Sequence, residues 1–465
     1  MTKKKTLKRI KSGFFDRSLS LTKFALQSGA SIAVSSLKGI LSDSDTRDIH
    51  FKSLLESQAK LLAKELGNLK GSLMKVGQML ALYGEHFLPE EVVKSLKTLN
   101  EQSQTVDWPE IQKILKRRLS AEVLGELEID PEPLAAASMG QVHRARIKAT
   151  GEEICLKVQY PGVDKAIDSD IKALRSILSM FKIIPTHSEG YDQLFQEIRT
   201  MLRQELDYEK ELAFTEAAHE LLKDKKQFIV PKCYSRYSSK RVLATAYEPG
   251  FNLDSPEVQN LPQERKNRLG INFSWLFVHE LFHFRMMQTD PHFGNYKVRI
   301  HESGDDQLIL LDWGAVRYFE EDFIKSYRHV LEGALTQNRQ KMIDAGLNIG
   351  FLKPEDNGSL QDSFAEICSI ACEPWLPPAD ARVPAPLVDG KGCYLWAKSD
   401  LPSRITQMAT RYALSFKMRP PPREVLFLDR KIGGVFIILK ILDARFPGHK
   451  LLAEWLPDSV PTDLP

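Results

Sequence analysis

Thr289-Asp290-Pro291-His292-Phe293-Gly294-Asn295 is followed, 17 residues after the Asn, by Leu311-Asp312-Trp313-Gly314. Phosphoryl transfer of the kinase type needs three polar groups in this order. An Asp stands near the attacking nucleophile, an Asn five residues on takes a metal, and an Asp-x-Gly holds the metal that bridges the phosphates. Asp290 and Asn295 have that gap of five, and Asp312 follows an apolar run, Leu308-Ile309-Leu310-Leu311, that reads as a strand. Each piece alone is an ordinary turn sequence. The ordered set is what carries the reading.

Upstream, Ala135-Ala136-Ala137-Ser138-Met139-Gly140-Gln141-Val142 overlays a Gly-rich phosphate loop whose first two glycines are replaced by alanine. Glycine takes positive φ freely and alanine does not, so a stiffer loop is expected, with Gly140 as its permissive position. Fifteen residues past Val142 comes Ile154-Cys155-Leu156-Lys157-Val158, a strand carrying one Lys. A Lys in an apolar strand is costly to bury unless a carboxylate meets it. The helical segment around Gln204–Glu211 offers several. At about 100° per residue Asp207 and Glu211 share a face, while Glu205 lies about 120° from Glu211. Spacing leaves the partner open between Glu205 and Glu211, and Glu211 is the preferred choice.

These residues resemble the UbiB/ADCK family of atypical protein-kinase-like proteins. The resemblance rests on Lys75-Val76-Gly77-Gln78 (the family's K-x-G-Q), the alanine-rich loop, Val158-Gln159-Tyr160-Pro161-Gly162-Val163, Glu205-Leu206-Asp207 (its E-x-D) and the two metal-site motifs. It runs from about residue 60 to 320. Phe293 stands where Pro is common and Trp313 where Phe is common, and neither change removes a metal ligand. The resemblance implies binding of ATP with Mg²⁺, ATPase activity more readily than protein phosphorylation, and a link to ubiquinone or related isoprenoid-quinone metabolism. A small lipid or quinone-precursor ligand follows from the same link. It also implies that the Lys75/Gln78 motif, with Glu205 and Asp207, regulates the site by reaching over it.

The implied architecture is α+β: a two-lobed protein-kinase-like fold, predominantly helical, with an N-terminal helical extension. Its expected parts are residues 1–105 (basic segment and extension), 106–248 (N-lobe) and 249–465 (C-lobe). Lys157 would neutralise the α/β-phosphates, Asn295 and Asp312 would bind Mg²⁺, and Asp290 would orient the nucleophile. Ala246 and Tyr247, at the end of the strand-like Arg241–Tyr247 run, are placed at the adenine-binding hinge. The competing readings are a nucleotide-binding pseudokinase that acts as a lipid- or protein-binding switch, and a small-molecule kinase.

Bulk properties fit a globular chain: 465 residues, 43% hydrophobic and 27% charged. A net charge of +3, without a basic patch interleaved with aromatics, argues against nucleic acid. Five cysteines are few and odd in number, which suits a reducing, cytoplasmic compartment. No apolar run approaches the roughly 20 residues of a membrane-spanning helix. Residues 1–12, however, hold six Lys/Arg and no acid, ahead of a loosely amphipathic stretch from Leu19 to Leu41. That pattern points to peripheral binding at an anionic membrane surface, on its inner face.

In residues 52–82, Leu62, Leu66, Leu69, Leu73, Val76 and Leu80 form one apolar helical stripe. Lys75 and Gln78 lie about 140–160° from it and within about 60° of each other. Toward the C-terminus, helices are expected at about 392–417 and 428–445, flanking Pro420-Pro421-Pro422. His279-Glu280-Leu281-Phe282-His283 matches the H-E-x-x-H zinc motif. It sits in Phe273–Met287, where the long apolar helix ahead of the catalytic loop is expected, so its histidines are read as packing groups or as groups that support the site from behind.

Overall fold

The computed structural model describes residues 105–137, 139–180, 189–290, 292–415, 422–458 and 460, and isolated positions between 75 and 96. Ser138, Gln78 and the basic segment 1–41 lie outside the described residues. In chain order the main elements are α1 (Trp108–Arg118), β1 (Leu127–Ala136), β2 (Gly140–Ile147), β3 (Glu153–Gln159), α2 (Val163–Met180), α3 (Glu189–Glu205), α4 (Tyr208–Leu222), β4 (Phe228–Ile229) and β5 (Val242–Ala246), short helical turns aside. They continue with β6 (Phe251–Asn252), α5 (Gln263–Phe282), β7 (Met286–Gln288), β8 (Tyr296–Arg299), β9 (Gln307–Leu310) and β10 (Val316–Tyr318). The remainder is α6 (Glu321–Leu335), α7 (Arg339–Asn348), α8 (Gly358–Ala371), β11 (Tyr394–Leu395), α9 (Leu401–Ser415), α10 (Arg423–Ile441), β12 (Arg445–Phe446) and α11 (Gly448–Trp455). The fold is kinase-like and α+β, with helices in the majority.

The chain divides into two compact units, one ending at Ala213 and taking in Lys232–Tyr247, the other comprising Phe214–Pro231 and the chain from Glu248. In the first, β1-β2-β3-β5 form an antiparallel sheet in that order. Successive strand residues face opposite sides, and β3 uses this fully: Ile154, Leu156 and Val158 are completely buried on one face. Lys157 falls on the other, in a cross-strand row with Ala135, Val142 and Leu243.

The helix expected across Gln204–Glu211 is two helices. α3 ends at Glu205, and Asp207 starts α4 by accepting the Lys210 N–H at 3.2 Å. An Asp side chain satisfies the orphan N–H groups of a new helix, so a break at this position is favourable. The angular relation computed through an unbroken helix therefore does not apply to Glu205 and Glu211.

The second unit has a four-stranded sheet, β4-β9-β8-β6, a β7-β10 ladder and a β11-β12 ladder, surrounded by helices. Its core takes in Phe273 and Leu276 of α5, Val298, Leu308, Leu310, Trp396, Ile438 and Leu439. Ala218, Leu222, Phe228 and Val230 belong to the same core, which explains why residues 214–231, placed by sequence with the first lobe, pack here. A Cβ on Gly270 of α5 would come within 2.6 Å of the Ala444 Cβ, so this helix depends on glycine for its close approach.

The C-terminal helices differ from expectation. Residues 394–395 are strand, and α10 starts at Arg423 directly after Pro422 rather than at 428. Pro422 has φ −53°, already near the helical value, so it can introduce a helix as readily as end one. Asp443 at φ 47° and strand β12 then stop the chain from remaining helical to 445. The helix ahead of the catalytic loop likewise ends at Phe282, not Met287, and Arg285 at φ 53° turns the chain into β7.

Candidate active site

In the first unit the Lys157 ammonium donates to Glu211 Oε1 at 2.6 Å, and the Glu211 side chain is 2% exposed. Of the carboxylates that spacing left open, Glu211 holds Lys157. The ammonium also lies 5.3 Å from the ring centre of Tyr208, one turn earlier on α4. Glu205, at the end of α3, pairs instead with Lys75 at 2.9 Å. Lys75 precedes Val76 and Leu80, both fully buried, while its cation meets the E-x-D carboxylate. Asp207 serves as the helix cap described above.

The alanine-rich segment forms the β1–β2 hairpin. Ala137 N–H donates to Gly140 O at 2.8 Å, and Tyr160 N–H donates to the carbonyl of the buried Met139 at 2.9 Å, so the turn is tied to the sheet. None of Ala135, Ala136 or Ala137 has positive φ. Gly140 does not use positive φ either, contrary to its expected role as the permissive position. It is glycine for lack of room: a Cβ there would lie 2.6 Å from Val158 O and 3.0 Å from the Tyr208 hydroxyl. At the expected hinge, Ala246 N–H donates to Lys232 O and Tyr247 N–H to Glu153 O, at 2.8 and 3.0 Å. Both N–H groups are thus taken by backbone carbonyls, so neither is open to serve as the hinge donor expected at these positions.

In the second unit two antiparallel ladders bring the separated motifs together. The Asp290–Asn295 loop leaves β7 and enters β8, and Asp312–Gly314 leaves β9 and enters β10. β7 pairs with β10, and β8 with β9. Thr289 N–H donates to Ala315 O at 2.8 Å and Leu311 N–H to Asn295 O at 3.0 Å, which ties the two loops at both ends. Asp290 O accepts from Gln288 Nε2 at 2.7 Å and from Asn295 Nδ2 at 2.9 Å. Asp312 Oδ1 accepts the Gly314 N–H at 2.9 Å, which orients its carboxylate. With Asn295 Nδ2 turned to Asp290 O, the Asn295 amide oxygen and the Asp312 carboxylate are hard oxygen donors of the kind Mg²⁺ takes, with phosphate and water completing the shell. The residues present fit that ion.

Two contacts were not read from the sequence. Arg430 of α10 pairs with Asp290 Oδ1, and the next residue, Lys431, lies 2.6 Å from Glu280 Oε2 of α5. Both Lys431 and Glu280 side chains are 1% exposed. A signal was present: Phe427, Leu428, Lys431, Gly434, Val435, Ile438 and Leu439 are buried at helical spacing, so Lys431 sits on the apolar stripe of α10.

The H-E-x-x-H segment has structural work. Glu280 faces Lys431 rather than solvent. His279 Nδ1–H donates to Trp275 O at 2.8 Å, and its ring stacks on Trp275 at 3.5 Å and His283 at 4.5 Å. Burial holds the His279 pKa down at about 4. A histidine with a depressed folded-state pKa contributes stability that is present above its ordinary value of 6.5 and lost as pH falls from there toward 4. Discounted for partial exposure, this is about 1–2 kcal/mol. Urea titrations at pH 7 and 4.5 are expected to give a smaller difference for His279→Phe than for the wild type. An equal difference removes His279 as the cause. Burial likewise raises the Cys368 thiol, and Cys372 to about 12, so both are inert packing groups.

The model of the ABC1 atypical kinase-like domain matches residues 98–345. The chain is similar to "Atypical kinase COQ8, mitochondrial" of Saccharomyces cerevisiae, 28% identical over 423 residues, covering 90% of this chain and 80% of that protein. The protein of the same name in Schizosaccharomyces pombe is 28% identical over 404 residues, covering 87% of this chain and 63% of the relative. "Atypical kinase COQ8B, mitochondrial" of Danio rerio is 30% identical over 402 residues, covering 86% and 61%. The chain thus spans about three fifths to four fifths of these relatives' lengths. Among solved structures, a Mycobacterium tuberculosis protein in complex with erythromycin matches with a TM-score of 0.57 at 23% identity, over 89% of this chain and all of that one. At that identity the likeness concerns the fold.

Proposed function

The chain belongs to the ABC1 atypical kinase-like family, and from that premise we propose that it binds MgATP and hydrolyses or transfers the γ-phosphate in support of ubiquinone or related isoprenoid metabolism. The observation that carries this reading is the Lys157–Glu211 pair. A lysine on the polar face of β3, held at 2.6 Å by a carboxylate that is 2% exposed, is a charge fixed in place for an anionic ligand. Asp312 and Asn295 are the residues that would hold the ion, which when bound neutralises charge on the phosphates. Lys157 binds and orients the α/β-phosphates, and Asp290 orients the attacking hydroxyl or water by accepting its proton.

The Lys75–Glu205 pair is the proposed regulatory contact. It ties the K-x-G-Q helix to the end of α3, and its proposed role is to restrict the phosphoryl acceptor to water or a small molecule rather than a peptide. No helix among the described residues is long and apolar enough to cross a membrane. Peripheral attachment through residues 1–41 is part of the proposal, and the relatives above carry mitochondrial in their names.

The test is MgATP turnover with and without anionic vesicles, with a search for phosphorylated products. Weak ATPase activity is expected, with no phosphate passing to generic protein substrates. Lys75→Ala should change turnover several-fold while leaving the melting temperature within a few degrees, because the pair it breaks is only partly buried. Robust phosphorylation of generic proteins by the wild type, or an unaltered rate in Lys75→Ala, overturns the regulatory part. Nucleotide binding without turnover makes the chain a nucleotide-dependent switch instead.

A further inference from the structure

We propose that Arg430 is a positioning residue for Asp290, and that helix α10 acts on the geometry of the catalytic loop through it. This rests on the phosphoryl-transfer reading and deepens it. The Asp290 backbone is already fixed, because its carbonyl accepts from both Gln288 and Asn295. Its carboxylate is set by two further side-chain torsions. Arg430 meets Oδ1 with a side chain that is 14% exposed, against 27% for Asp290, so the contact is partly shielded from water. A guanidinium nitrogen that holds Oδ1 restricts rotation of the carboxylate, and with it the directions open to Oδ2.

The grip extends below the loop. Lys431 is bound to Glu280, whose Oε1 accepts the Gln288 N–H at 3.4 Å, and Gln288 is the residue that holds the Asp290 carbonyl. Adjacent cations on one helix thus reach the side chain of the catalytic Asp and, through two intermediates, its backbone. Arg430 itself is not asked to touch substrate. Lysine at 430 would keep the charge but lose the reach and fixed donor direction of the guanidinium, so charge and geometry can be separated.

The experiment is steady-state MgATP hydrolysis by wild type, Arg430→Met, Arg430→Lys, Asp290→Asn and the Arg430→Met/Asp290→Asn double variant, with equilibrium nucleotide binding measured alongside. Arg430→Met should lower kcat on the order of 100-fold, the size expected when a reacting group is misplaced by about 1 Å. KM and nucleotide affinity should remain near wild type, since the phosphate- and metal-holding residues are untouched. Arg430→Lys should recover only part of kcat. The double variant should be no slower than Asp290→Asn, because a residue that acts through Asp290 has nothing to orient once the carboxylate is gone. A purely structural role predicts instead that the two losses multiply and follow the melting temperature. Multiplying losses, or wild-type kcat in a folded Arg430→Met, overturn the proposal. If Arg430→Met does not fold, wild-type kcat in Arg430→Lys also overturns it. A wild type that never hydrolyses MgATP sinks the functional reading itself, and this inference with it.

Discussion

Asp312→Asn should abolish magnesium-dependent nucleotide binding while leaving the fold intact. The substitution preserves shape: an amide oxygen can still accept the Gly314 N–H that now reaches Oδ1 at 2.9 Å. What it removes is the negative charge. Mg²⁺ is a hard ion that holds few protein ligands and depends on a carboxylate among them. Its loss removes several kcal/mol of charge stabilisation, so MgATP affinity should fall on the order of 100-fold. Titration of a fluorescent nucleotide with magnesium and with EDTA measures this directly. The variant should bind equally weakly in both, whereas the wild type should lose affinity only in EDTA. Wild-type MgATP affinity in a folded Asp312→Asn protein would remove the metal assignment. A parallel arm with a zinc-selective chelator tests the H-E-x-x-H alternative, since loss of activity there would bring His279 and His283 back as ligands.

What could be read from sequence follows the range of the interaction concerned. β3 was legible because Ile154, Leu156 and Val158 alternate with Cys155 and Lys157, and a period of two leaves little choice of face. Asp290, Asn295 and Asp312 were legible as a group because the distance between them is spanned by two short ladders, and such ladders preserve register. The partner of Lys157 was harder. It depended on whether α3 and α4 were one helix, and the local signal for a break was an Asp followed by Tyr-Glu-Lys-Glu, which also suits a charged helical surface. Gly140 was read through its torsion, when the constraint was a neighbouring carbonyl that only a tertiary structure reveals. Arg430 lies 140 residues from Asp290. No spacing rule links positions that far apart, and a charged side chain on a helix ordinarily reads as solvated. Lys431 was the exception that could have been caught, because it interrupts a buried stripe where a cation is costly without a partner.

That partner makes Lys431 the position where one substitution should cost the most stability. Lys431 and Glu280 lie 2.6 Å apart and are both 1% exposed, so neither charge can turn to solvent if the other is lost. Burial pushes the Glu280 pKa above the usual carboxylate range, and Lys431 pulls it part of the way back. Lys431→Met keeps the apolar stem but leaves Glu280 with nothing to oppose the cost of burial, and about 3–5 kcal/mol of stability should be lost. The loss should narrow as pH falls. A carboxylate whose folded-state pKa is raised binds its proton more tightly in the folded state, so protonation favours folding and deprotonation at higher pH opposes it. Glu280→Gln added to Lys431→Met should recover much of the deficit at pH 7, since the amide is neutral and can still accept the Gln288 N–H. Urea denaturation of the two single variants and the double variant at pH 5 and pH 7 measures all three expectations. A Lys431→Met protein within about 1 kcal/mol of wild type would mean that the site admits water or relaxes around the lone carboxylate. Helix α10 would then lack the buried anchor that holds Glu280, and through it Gln288, beneath the Asp290 loop.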